Sequence, residues 1–135
     1  MEMNSKQVRA ALREAGVGVA YLFGSRARAD ARPDSDVDIG LLLDEPLGLM
    51  GELRLATRIS EALQVADVDV VDLSRAPLGL RGRVVQEGRL LLDDDPNRRV
   101  AFEVRTRMQY FDEHPTLQRL ARAHIAHVAE RGLNG

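Results

Sequence analysis

The chain has 135 residues, a formal net charge of −2, 44% hydrophobic residues and 30% charged residues. That length and balance fit one compact soluble domain, or one domain with a helical extension, and exclude both a disordered chain and a global basic field able to hold extended nucleic acid. Cysteine is absent, which removes disulfides, zinc–thiolate sites and cysteine nucleophiles, and no apolar run approaches the ~20 residues of a membrane span.

The N-terminal MEMNSKQVRAAL lacks the charged-then-apolar layout of a secretory leader, so a cytoplasmic protein is expected. Asn4 or Ser5 can cap a first helix whose apolar stripe is Val8, Leu12 and Ala15, with Gly16 placed to end it. Val17 to Phe23 reads as a short buried strand, stopped by Gly24-Ser25. Residues 25 to 35 are polar and contain Pro33, which suggests a short helix or turn and then a loop. Val37 to Leu43 is a second strand. Leu49, Leu53, Ala56, Ile59 and Leu63 recur at helical steps and predict an amphipathic helix with that stripe buried. Ala66 to Leu73 alternates at period two and reads as a third strand. Ser74 to Gly88 is expected to be helical, and Arg89 to Leu92 a short strand. The order is then αβαβαβαβ, a mixed α/β domain ending near Asp93.

Asp95-Pro96 suits a helix start, with Asp95 as the cap and Pro96 at the first helical position. Ala101, Val104, Met108 and Phe111 make the stripe of that helix. After Pro115, a second helix carries Leu117, Leu120, His124, Ile125 and Val128. Residues 95 to 135 thus read as a two-helix C-terminal segment.

The chemistry concentrates in GSRARADARPDSDVDIGLLLD, Gly24 to Asp44, where Gly24-Ser25 precedes Asp36-Val37-Asp38 by ten residues. Gly24 permits close backbone approach to a phosphate, Ser25 offers a hydroxyl and an N–H, and Arg26 and Arg28 can meet phosphate charge. Alternate strand residues share a face, so Asp36, Asp38 and Gly40 point one way and Val37, Ile39 and Leu41 point to the core. Two carboxylates this close repel unless a divalent cation such as Mg²⁺ bridges them, and Gly40 leaves room above them. If the third strand is their neighbour, Asp69 completes a triad able to hold two metals about 3.5–4 Å apart. Asp69 is then a candidate to help accept a proton from an attacking hydroxyl, with Asp67 the alternative.

Other residues weigh less. His124 and His127 lie three apart on an expected helix, and with His114 they lack a carboxylate set that would complete a metal site. Arg98, Arg99, Arg105 and Arg107 read as a solvated helix face or a partner contact. Tyr21 and Tyr110 are expected to pack rather than to accept a transferred group.

These residues resemble the polymerase-beta-like nucleotidyltransferase superfamily, and more closely its minimal, MntA-like members, the antitoxin partners of HEPN toxins. FGSRARADARPDSDVDIGLLL is similar to the superfamily's Gly-Ser and Asp-x-Asp signature. VDVVDL with RAPLGLRGRVVQEGRLLL resembles the third-carboxylate strand and the helix and strand after it, and FEVRTRMQYFDEHP the C-terminal segment. One departure is Ala29, where the loop often has glycine. The resemblance implies an α/β (α+β) fold with a small mixed sheet flanked by helices, a nucleotidyltransferase domain over residues 1–94 and C-terminal helices over 95–135. It implies that Gly24, Ser25 and Arg26 bind the triphosphate of ATP and that Asp36, Asp38 and Asp69 bind two Mg²⁺ ions. It further implies transfer of AMP to a tyrosine hydroxyl of a cognate HEPN RNase toxin, held in a hetero-oligomer. The alternatives are an antitoxin acting by binding alone, or an enzyme modifying a small molecule or an RNA end.

Overall fold

The computed structural model describes residues 5–24, 36–113, 119–120 and 122–126. Within them the chain forms α1 (Ser5–Glu14), β1 (Val19–Phe23), β2 (Val37–Leu42), α2 (Gly48–Leu63) and β3 (Val68–Asp72). A 3-10 turn over Leu73–Arg75 leads to α3 (Leu78–Glu87), β4 (Arg89–Asp93) and α4 (Pro96–Asp112). The described residues between 119 and 126 are helical as well. The expected element between residues 25 and 35 lies outside the described residues.

The four strands form one mixed sheet in the order β3-β2-β1-β4. β1 runs antiparallel to both β2 and β4, while β2 and β3 are parallel. A parallel pair needs a long crossover, and α2 supplies it. One face of the sheet presents Ala20, Leu22, Val37, Ile39 and Leu41, packed against Val8 and Leu12 of α1 and Leu55, Ile59 and Leu63 of α2. The other face presents Val19, Tyr21, Phe23 and Leu42, covered by Leu73, Val84 of α3 and Phe102 of α4. Every residue of β1 is buried because both faces and both edges of that strand are covered.

Local chemistry sets the ends of the elements. Gly16, at φ +81°, follows α1 in the left-handed region that glycine enters most easily. Asp95 caps α4 by accepting a hydrogen bond from the Arg98 N–H at 3.2 Å, with Pro96 in the first turn. The segment expected to be helical from Ser74 begins its α-helix only at Leu78. Asp72 accepts the Ser74 N–H at 3.0 Å and pairs with Arg75 at 2.6 Å, holding a 3-10 turn, and Pro77 disfavours helical backbone at Ala76.

The stripe expected in α2 is borne out at Ile59 and Leu63 but not at Leu49 and Leu53, and the one expected in α4 faces outward. In α2 the buried set is Leu55, Ile59 and Leu63, whereas Leu49 is 72% and Leu53 52% exposed. Leu55 lies half a turn around from Leu53, so the four-step spacing of leucines 49 and 53 marked a neighbouring arc rather than the contact arc. In α4 Val104, Met108 and Phe111 are exposed, Met108 to 62%, and Ala101 is exposed too. The sheet-facing arc of α4 is instead Arg99, Phe102, Glu103, Thr106 and Tyr110. Arg99 and Glu103 find internal partners, whereas the buried Thr106 hydroxyl has none among the described residues. The Tyr21 hydroxyl donates to Glu103 Oε1 at 2.9 Å, and Arg99 Nε donates to Asp93 Oδ2 at 2.8 Å. Pairing of this kind lets a polar arc be the buried one. The helix thereby closes the second layer of the fold, with Phe102 against Tyr21 at 6.2 Å between ring centroids.

Candidate active site

Asp38 stands near the start of β2, between two unlike neighbours. Its partner on β1 is Phe23, which is buried, and its partner on β3 is Asp69. The parallel register sets Asp38 beside Asp69 and Val37 beside Val68, and the Val37 N–H donates to the Asp67 carbonyl at 3.1 Å. Asp69 rather than Asp67 is therefore level with Asp38. Asp36 precedes β2, is exposed, and falls on the same side as Asp38 by strand alternation.

This placement perturbs Asp38. Burial, then the Asp69 carboxylate and then that of Asp36 push its pKa above the ordinary value. Repulsion between three carboxylates in a partly dry corner favours protonation or a bound cation. The donors are hard oxygens, which suits Mg²⁺, and Asp38 with Asp69 are the residues that could hold it. Among the described residues no group of three His, Cys, Asp or Glu side chains is gathered at metal-binding spacing.

Gly24 closes the site from β1. Its φ is +77°, and a Cβ built there would collide with Asp38 Oδ2. Glycine is thus required twice over, once by the backbone and once by the carboxylate packed on it. Ser25, Arg26 and Arg28, expected to meet phosphate, lie outside the described residues. The room expected above Gly40 is filled from within: a Cβ there would lie 2.6 Å from Leu73 Cδ1. Gly40 serves the packing of Leu73.

The remaining candidates separate clearly. His114 and His127 lie outside the described residues, and His124 is exposed on a helix. Arg98 pairs with Asp44 at 2.7 Å and Arg99 with Asp93 and Glu103, so these two are structural ion pairs. Arg105 and Arg107 are exposed. Tyr21 is committed to Glu103, and burial, then that hydrogen bond, raise its pKa far above the ordinary phenol value. Tyr110 packs on α3, where a Cβ on Gly82 would meet its ring at 2.8 Å. Sequence reasoning missed Leu73 and Phe23. Alternation along β1 could have signalled Phe23, whereas nothing local marks Leu73 as the cover of Gly40.

Residues 6–97 match the family described as polymerase beta, nucleotidyltransferase. A protein adenylyltransferase MntA of Shewanella oneidensis is 38% identical over 71 residues, covering 53% of this chain. The match spans half the length of that relative. In a crystal structure of a toxin–antitoxin with AMP-PNP, one chain superposes with a TM-score of 0.70 at 30% identity, covering 93% of this chain and 98% of that one. A tri-AMPylated Shewanella oneidensis HEPN toxin in complex with MNT antitoxin contains a chain that superposes with a TM-score of 0.65 at 30% identity, over 93% and 96% of the two chains. No helix among the described residues is long and apolar enough to cross a membrane. With a mixed four-stranded sheet, a glycine turn against Asp38 and a second aspartate in register, the chain belongs to the polymerase beta nucleotidyltransferase family, among its minimal, MntA-like members.

Proposed function

We propose that the protein transfers AMP from ATP to a tyrosine hydroxyl of a cognate HEPN RNase toxin and silences it in the cytoplasm. The reading rests on one observation: Asp38 and Asp69 are register partners on adjacent strands, with Gly24 packed against Asp38. Similarity to the MntA relative and to toxin–antitoxin complexes supports the choice of a protein acceptor. In this reading Asp36, Asp38 and Asp69 hold two Mg²⁺ ions, and Gly24, Ser25 and Arg26 take the triphosphate. Bound Mg²⁺ would neutralise phosphate charge and lower the pKa of the attacking hydroxyl. The hydroxyl oxygen attacks the α-phosphorus, its proton passes to Asp69, and the bond to pyrophosphate breaks in line. The protein's own contribution is orientation and a fixed field of carboxylates.

The test incubates the purified protein and its cognate toxin with α-labelled ATP and Mg²⁺. Label on the toxin that vanishes with Asp36→Asn/Asp38→Asn supports the reading. A stable complex that stays unlabelled overturns it in favour of neutralisation by binding alone. Label on RNA or a small molecule, with no labelled protein, overturns the choice of acceptor.

A further inference from the structure

At the other end of β2, four residues from Asp38, a second feature carries charge of the opposite sign. A cavity of about 180 Å³ opens between the 3-10 turn, α3 and α4, floored by Leu42 and Phe102. Ser74, Arg81, Arg98 and Arg105 supply its polar walls, and all four present donors. Arg81 is anchored, its Nε donating to the Ala76 carbonyl at 3.1 Å and its Nη1 to Gln109 Oε1 at 2.7 Å, which leaves Nη2 without a partner among the described residues. Ser74 Oγ accepts the Leu43 N–H at 3.0 Å, so its own hydroxyl proton remains to be given. Arg105 has no hydrogen bond or ion pair among the described residues. Two acids lie close by: Asp44, paired with Arg98 at 2.7 Å and itself 90% exposed, and Asp72, which accepts the Ser74 N–H and is already offset by Arg75 at 2.6 Å.

Three guanidinium groups around so small a space repel one another, and one exposed carboxylate does not balance them. The surplus of two positive charges matches a phosphate group, which carries about −1.5 to −2 at neutral pH. Guanidinium donors fixed in a fork suit phosphate oxygens, and the apolar floor strengthens each contact by excluding water. A carboxylate, with two oxygens in one plane, would leave donors of this set unmet. Ligand pockets for whole small molecules run to about 300–1,000 Å³, so this cavity takes the phosphate alone and not a nucleoside with it.

We propose that Ser74, Arg81, Arg98 and Arg105 form a phosphate-binding site separate from the Asp38–Asp69 corner. The phosphate arrives as the free ion or as the terminal group of a phosphomonoester such as AMP. This inference does not depend on the transfer reaction, since it is read from a different end of the sheet.

The test is calorimetric titration of the full chain with inorganic phosphate, and separately with AMP. Wild type binds phosphate with a Kd on the order of 1 mM. Arg105→Gln, at an exposed position, weakens binding at least about tenfold, the loss of a charge-assisted contact. Asp44→Asn tightens it severalfold by removing the competing carboxylate. Asp38→Asn/Asp69→Asn leaves it unchanged. Tighter binding of phosphate than of AMP identifies the free ion as the ligand, and the reverse identifies the phosphomonoester. Failure of wild type to bind either probe, equal binding by Arg105→Gln, or loss of binding in the Asp38/Asp69 variant overturns the proposal. Circular dichroism of each variant confirms that the fold is intact.

Discussion

Replacing Gly24 with alanine separates two costs that the structure makes distinct. The first is backbone strain, because φ is +77° and a side chain in the left-handed region costs about 1–2 kcal/mol. The stiffer unfolded chain returns about 0.4–1 kcal/mol of that. The second is the collision of the new methyl with Asp38 Oδ2, which requires the carboxylate to move by on the order of 1 Å, a displacement worth about 100-fold in rate at a positioned site. Gly48 provides the control. Its φ is +75°, and an added Cβ there meets nothing within 4 Å. Urea unfolding of Gly24→Ala and Gly48→Ala is expected to show comparable losses, each within about 1–2 kcal/mol of wild type. Transfer of labelled AMP is expected to stay near wild type in Gly48→Ala and to fall about 100-fold in Gly24→Ala. Wild-type transfer by Gly24→Ala would refute the argument that the glycine holds Asp38 in place. An equal fall in Gly48→Ala would assign the effect to backbone strain alone.

Asp38 has a folded-state pKa above its unfolded one, so without divalent cation stability is lost as pH rises through the folded value and regained on acidification towards the ordinary carboxylate range. Unfolding curves between those limits should show this trend in wild type and lack that increment in Asp38→Asn. Tyr21→Phe leaves Glu103 Oε1 without its donor and should cost about 1–2 kcal/mol in urea, measured at pH 7. Above about pH 10 wild type should lose stability as the unfolded tyrosine ionises while the folded one resists, a slope to which Tyr21→Phe makes no contribution. Leu55→Ala should cost about 2–5 kcal/mol and Leu53→Ala no more than about 0.5 kcal/mol, and a reversed order in chemical denaturation would show that α2 presents its other arc to the sheet.

The parts of the site that were legible in the sequence are those governed by short-range rules. Strand alternation set Asp36, Asp38 and Asp69 on their faces, and the glycine at position 24 marked a turn. What failed depended on choices between arcs of a helix. The contact face of α4 is polar, and its burial follows from the Tyr21 hydroxyl donating to Glu103, 82 residues away in sequence, and from Arg99 donating to Asp93 on the neighbouring strand. The space above Gly40 belongs to Leu73, a fact of how the 3-10 turn folds back over the sheet. The arginine cavity was invisible for the same reason, since its walls come from the 3-10 turn, α3 and α4.

The position of β3 at the margin of the sheet gives its acids a second role. An edge strand offers unpaired backbone groups to any other extended chain, and charged side chains are one defence against that pairing. Asp69 is exposed on this strand and Asp67 just before it, so the carboxylate proposed to serve the site also discourages strand-to-strand aggregation. Neutralising Asp69 therefore acts on solubility as well as on chemistry. A loss of activity in Asp69→Asn can be read as chemical only when light scattering shows the variant to be as free of self-association as the parent chain.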